Sequence, residues 1–162
     1  MTKKWQDRAD LLLKLLSIIA IVAAGVWAYV QFDITRTAEA NVQVNLSTEY
    51  HKYSEDARLL LVHIKPKNIG KVVVSPGKKG FVVSIKSIPK NLKMGAVDLE
   101  KLPEIYKVDL TKRFPDGYDL EPGVEYDEIV ALIVPKNSLY AVKAIFDLDD
   151  DEVDQSTVAR VD

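Results

Sequence analysis

The sequence predicts an all-β domain, a two-sheet antiparallel sandwich of about seven or eight strands, preceded by one N-terminal transmembrane α-helix. Three observations carry that expectation. An unbroken apolar run extends from Leu11 to Phe32. Beyond it, short stretches alternate apolar and polar residues, the period-two mark of strands with one buried face. Turn-forming clusters separate those stretches: Asn68-Ile69-Gly70, Pro76-Gly77-Lys78-Lys79-Gly80, Pro115-Asp116-Gly117 and Pro122-Gly123.

The apolar run reads LLLKLLSIIAIVAAGVWAYVQF, with Lys14, Ser17 and Gln31 its only strongly polar members. It matches the roughly 20 residues that cross a bilayer core of about 30 Å. A soluble amphipathic helix would carry a polar stripe, and none interrupts Ile18 to Val30. On a helix, Trp5 and Trp27 stand about 33 Å apart along the axis, which suits one indole at each membrane interface. Tyr29 reinforces the outer belt, and Lys14 is placed to snorkel toward headgroups. Ala20, Ala24 and Ala28 recur at the spacing that lets two helices approach in lipid, beside the plain reading that alanine is common in such spans. Lys3, Lys4 and Arg8 precede the run, Lys14 lies one turn inside its start, and Arg36 stands alone just after it. The positive-inside bias therefore orients the chain with its N-terminus in the cytoplasm and its C-terminal domain periplasmic or extracellular, anchored in the cell membrane. Ala38-Glu39-Ala40 has the small-x-small form of a cleavage site, but it lies far beyond the run, and an uncleaved anchor is the expectation. The organisation that follows is a basic N-terminus over 1–10, a span over 11–32, a linker over 33–40 and a β domain over 41–162.

Within that domain, alternation starts at Asn41 (NVQVNLSTEY), and a denser run from Arg58 (RLLLVHIKP) fits a central strand. KVVVS from Lys71 and FVVSIKSIP from Phe81 read as two strands of a hairpin around Pro76–Gly80. A helical turn is expected near Asp98 to Leu102 and a strand at Tyr106 to Leu110. Longer strands follow at Glu125 to Val134 and Leu139 to Leu148, then a last one at Ser156 to Val161. No helical pattern supports a βαβ fold, and no repeat of 20 to 50 residues occurs.

The short basic N-terminus, the span ending GVWAYVQF and the segment VHIKPKNIGKVVV together resemble a loose class of bacterial single-pass membrane proteins with a C-terminal β-sandwich. LEPGVEYDEIVALIVP resembles the later strands of immunoglobulin-like sandwiches. The resemblance implies an immunoglobulin-like fold and a bacterial envelope, and brings no functional residues with it.

The chemistry of the chain is sparse. Among 162 residues there is no cysteine, which removes disulfides, thiolate metal sites and a cysteine nucleophile. The two histidines, His51 and His63, are not at metal-binding spacing on a helix, and no nucleophile elbow, zincin, phosphate-loop or dinucleotide motif is present. No catalytic residue and no cofactor is expected, and the chain reads as a non-enzyme. The run FDLDDDEVD opens like a calcium loop, with Asp147, Asp149 and Asp151 in the first, third and fifth positions. It departs at Glu152, where glycine belongs, and at Val158, where the bidentate glutamate belongs. A solvated hairpin tip between two strands is the plainer expectation.

Charge is divided along the chain although the formal net charge is only -2. From Arg58 to Val97 there is no acid, and Lys65, Lys67, Lys71, Lys78, Lys79 and Lys86 are among the cations of that block. From Asp98 onward acids dominate. The basic block suits anionic lipid headgroups or an acidic partner, a second copy of the chain included. Alternatively, basic and acidic strands pair across one sheet. Nucleic acid is not an expected partner, because no aromatic residues interleave the lysines.

These readings lead to a non-enzymatic, membrane-anchored interaction or structural module of the bacterial envelope. Its sandwich would bind a protein partner in or at the membrane, and its span would hold it in the lipid bilayer and support homo-oligomers. The alternative is a sensor or ligand-binding subunit of a membrane complex whose sandwich recognises a small molecule or ion.

Overall fold

The structure, a computed structural model, describes residues 3–34, 40–149 and 151–162. One helix, α1 (Lys3–Ile34), is followed by seven strands: β1 (Val42–Lys52), β2 (Ala57–Asn68), β3 (Phe81–Ile88), β4 (Glu104–Asp109), β5 (Glu128–Pro135), β6 (Ser138–Asp147) and β7 (Glu152–Val161). Two short 3-10 helices flank β4, at Leu99–Lys101 and Leu110–Arg113.

The chain divides into two compact units, residues 1–39 and 40–162. In the first, α1 contains a 22-residue stretch, Asp10–Gln31, with a mean hydropathy of 2.3 and none of it buried. That is an apolar helix long enough to cross a membrane, of the kind found in anchors and in signal sequences.

In the second, every strand pairing is antiparallel. A three-stranded sheet has the order β1-β2-β5, and a four-stranded sheet the order β4-β3-β6-β7. The alternation that marks each strand in the sequence now has a direction. Val42, Val44, Leu60, Val62, Ile64, Val130 and Val134 point inward from the first sheet. Phe81, Val83, Ile85, Tyr140, Val142, Ala144, Phe146, Ala159 and Val161 point inward from the second, and the two sets share one core. Each large buried side chain contributes about 1.5–3 kcal/mol through removal from water. Phe81 sits at the centre, wholly buried, its ring 5.1 Å from Phe146 and 5.9 Å from Tyr118.

Three expectations are corrected. Lys71–Ser75 is not a strand: it makes a single bridge, Val74 with Leu120. The reason lies in Asn68, which is fully buried and whose amide nitrogen donates to the carbonyls of both Val72 and Leu120 at 2.7 Å. Those side-chain bonds take the place of a ladder, so Pro76–Gly80 is not a hairpin turn. Second, β5 begins at Glu128 rather than Glu125, because the preceding residues bond irregularly to the end of β2 through Tyr126 N–H to the Pro66 carbonyl and a Lys67–Glu125 bridge. Third, β7 begins at Glu152 instead of Ser156. It is an edge strand, and its charged side chains face water without cost. The helix itself extends beyond the 11–32 run at both ends, and its apolar stretch is Asp10–Gln31. The expected linker and cleavage-like sequence fall largely on residues 35–39, outside the described residues.

Candidate functional site

On α1, Ala20, Ala24 and Ala28 lie one turn apart along an exposed flank, and nothing approaches the Cβ position of Gly25. Trp27 and Tyr29 are exposed near the helix end; the Trp5 side chain lies outside the described residues. Lys14 pairs with Asp10 one turn earlier, at 3.1 Å. The pairing offsets one of the four cations at the start of the chain, and Asp10 is a residue that the span's apolar reading passed over. Ser17 donates to the Leu13 carbonyl at 2.8 Å, which satisfies its hydroxyl within the helix.

The structure distributes the six lysines of the basic block instead of gathering them. Lys65 and Lys67 stand on the outer side of β2, where Lys65 pairs with Asp127 at 3.5 Å. Lys71 is exposed in the irregular segment before Val74. Lys78 and Lys79 belong to the turn after Pro76, and Lys79 approaches Glu152 at 3.7 Å. Lys86 stands on β3 in the other sheet and pairs with Glu100 at 3.0 Å.

The acidic run has a structural task. Asp147 is almost fully buried and accepts the Lys79 N–H at 2.7 Å, while Asp149 accepts the Lys78 N–H at 3.2 Å. Their carboxylates cap the turn at 77–80 much as an N-cap residue satisfies free donors. The fit is close: a Cβ at Gly77 would come within 2.6 Å of oxygens of both aspartates, and Gly80 has φ of 79°. Asp151 accepts the next residue's N–H at 2.8 Å. A solvated tip therefore describes Asp147 wrongly. Among the described residues no group of three His, Asp or Glu side chains is arranged to hold a metal ion.

Two outer faces distinguish the domain. On the three-stranded sheet, Ile129, Ala131 and Ile133 of β5 are exposed and Leu59 and Leu61 of β2 are half-buried, which makes one apolar row beside the open edge of β5. Polar groups border it. His63 Nδ1 lies 3.0 Å from Asp127, and its Nε2 lies 3.6 Å from Glu49. Hydrogen bonds from His51 and His63 hold the Glu49 carboxyl below the usual carboxylate range. Arg113 donates to the Ile129 carbonyl at 3.1 Å and occupies part of the free edge.

On the four-stranded sheet, Glu100 bridges Lys143 at 2.9 Å and Lys86 at 3.0 Å, and Lys143 also reaches Asp154 at 3.4 Å. The hydrogen bond from Lys143, then that from Lys86, holds Glu100 below the usual carboxylate range, and Glu100 in turn raises Lys143. Leu99 and Ala141 line a small cavity of about 70 Å³ beside this network. A larger one, about 290 Å³, is lined by Ile88, Pro89, Lys90, Ser138, Leu139 and Arg160.

Tyr118 completes the inventory of unusual groups. It is buried among Phe81, Phe114 and Tyr126, and its hydroxyl has no hydrogen-bond partner among the described residues. Burial, reinforced by the Glu128 charge, pushes its phenol well above the usual range.

No family model and no curated protein matches the chain. Among solved structures it is similar to a candidate lipoprotein of Bacillus subtilis subsp. subtilis str. 168, with a TM-score of 0.36 and 20% identity, covering 72% of this chain and 36% of that one. It is also similar to a β-glucosidase from Kluyveromyces marxianus, with a TM-score of 0.36 and 16% identity, covering 76% of this chain and 14% of that one. The chain thus spans much less than two thirds of the length of either.

Proposed function

We propose that the protein is a non-enzymatic, membrane-anchored interaction module, with α1 as an uncleaved anchor, its N-terminus cytoplasmic, and the β domain outside the cell membrane of a bacterium. The observation that carries this reading is the apolar row Ile129, Ala131 and Ile133 on a domain whose chain also bears an unburied apolar helix. An apolar centre with a polar border, here His63, Asp127, Glu49 and Lys65, has the anatomy of a protein-binding patch. The finer fold reading is immunoglobulin-like: β4 joins β3 instead of β5, and the β1-β2-β5 and β4-β3-β6-β7 orders suit a Greek-key sandwich. The small-residue flank of α1 supports self-association of the anchor.

A photocrosslinking residue at Ile129 or Ile133 in the full chain, in its native membrane, tests the interface. A discrete protein adduct that disappears when the neighbouring isoleucine is changed to Lys supports it. Equal labelling of every surface position, or hydrolytic turnover by the purified chain, overturns it. Ile133→Lys should shift stability by no more than about 0.5 kcal/mol, because the side chain is already largely in water.

The alternative, a sensor or ligand-binding subunit, draws on the cavity beside Arg160 and Lys90. Its volume falls at the small end of ligand pockets, about 300–1,000 Å³, and Arg160 already pairs with Asp162 at 2.8 Å. A small carboxylate that raises the melting temperature of the parent but not of Arg160→Gln would favour that alternative.

A further inference from the structure

The connection from β3 to β4 carries a feature that neither the core nor the sheet faces use. Every residue from Lys90 to Lys101 is exposed. Loop tips are usually small and polar, yet here Met94 is wholly exposed, and Leu92 and Val97 each keep 43% of their surface in water. Gly95 follows Met94 with φ of 142°, a conformation that favours glycine, and nothing lies within 4 Å of its Cβ position. Lys90 and Lys93 flank these apolar residues, and neither takes part in an ion pair among the described residues. No acid occurs between Arg58 and Val97, so residues 89–97 carry cations only; the acids that follow, Asp98 and Glu100, are paired with Lys101 and with Lys86 and Lys143.

We propose that residues 89–97 form a membrane-contact loop. Leu92, Met94 and Val97 enter the interfacial layer of an anionic bilayer, and Lys90 and Lys93 face its headgroups. A convex tip with apolar side chains and flanking cations matches a fluid, negatively charged surface, where burial of apolar area and attraction to acidic lipid act together. A flat protein patch is matched instead by the row on β5. The proposal rests on the reading of α1 as an anchor, since a tethered domain meets the bilayer at high effective concentration and a weak contact is then sufficient.

The chain has no cysteine, so one introduced thiol is unique. Met94→Cys, labelled with an environment-sensitive fluorophore, is examined in the full chain reconstituted into phosphatidylcholine vesicles with and without phosphatidylglycerol. Ala20→Cys reports on the anchor, and Asp116→Cys, in a different exposed turn, reports on nonspecific adsorption. The expected result is a blue-shifted label at 94 that spin-labelled lipid quenches when phosphatidylglycerol is present, with an aqueous label at 116. Combining Lys90→Glu with Lys93→Glu should lower the ratio of inserted to free loop by about tenfold or more, from the loss of two headgroup contacts. An aqueous, unquenched label at 94 in both vesicles, with position 20 quenched, overturns the loop assignment and leaves the anchor standing. An unquenched label at 20 overturns the anchor itself. A label at 94 that is shielded but not quenched by lipid marks contact with a second copy and overturns the assignment, and equal quenching with and without phosphatidylglycerol overturns recognition of anionic lipid.

Discussion

Both sheets build one shared core from alternating residues, yet the side each turns to water differs. On the three-stranded sheet, the outward positions of β5 are Ile129, Ala131 and Ile133, and they stay exposed. On the four-stranded sheet, Ser84, Lys86 and Lys143 share the outward positions of β3 and β6 with Val82, Leu139, Ala141 and Ile145, and the chain returns through Glu100 to pair with both lysines. Inward positions have one chemical requirement and fill alike. Outward positions have no such requirement from packing, so their character is free to differ. The four-stranded sheet joins its outward lysines to Glu100 although Leu139 and Val158 stay exposed; the three-stranded sheet gathers its exposed apolar side chains in one row on β5.

The sharpest way to break the contrast is to remove what both sides share. Phe81→Ala should cost about 3–5 kcal/mol in denaturant unfolding, because it opens a cavity between the sheets and collapses both outer faces together. A loss confined to one sheet would show that the core is not common.

Asp147→Ala comes next, at about 1–3 kcal/mol, because it removes a buried carboxylate and strands the part-buried Lys79 N–H. In the unmodified chain, calcium should leave the melting temperature unchanged, since these carboxylates already serve backbone donors. A calcium-dependent rise would restore the metal reading of Asp147, Asp149 and Asp151.

Smaller still is the effect of Glu100→Gln, read in the pH dependence of stability. Glu100 is depressed in the folded chain, so its contribution is present above the ordinary carboxylate range and fades as pH falls through its lowered value. Lys143 is raised, so its contribution is present below the ordinary lysine range and fades as pH rises through its elevated value. The variant should flatten both limbs, and an unchanged profile would show that the network is solvent-screened. Tyr118→Phe sets the floor: it removes a hydroxyl that has no partner, and should be neutral or stabilising by up to about 1 kcal/mol in thermal melts.

The architecture was legible where a residue's side alone decides its fate. Alternation located β1, β2, β3 and β6, and the apolar run located α1, because water contact is a local property of a strand or span. Legibility ended where a distant side chain replaces local bonding. Three consecutive valines at 72–74 read as a strand, but Asn68 holds the Val72 carbonyl and ends the ladder. Asp147 reads as a tip residue until the turn at 77–80 folds against it. Glu100 lies 14 residues from Lys86 and 43 from Lys143, and no spacing announces that the three will meet. The apolar side of β5 was visible as EIVALIVP, but its exposure was not, because a run apolar on both sides reads as a strand covered on both sides.

The pairing of Phe81 with Phe146 and of Leu60 with Leu132 has a kinetic consequence. The central strands β2 and β6 each have one near partner in the chain, β1 and β7, but β2–β5 and β3–β6 join only across long stretches of intervening chain, so neither sheet is completed from neighbouring residues alone. Such topologies fold in milliseconds to seconds, far more slowly than a helix forms. A complete refolding phase faster than a millisecond would contradict this. The apolar helix is finished long before the β domain is complete.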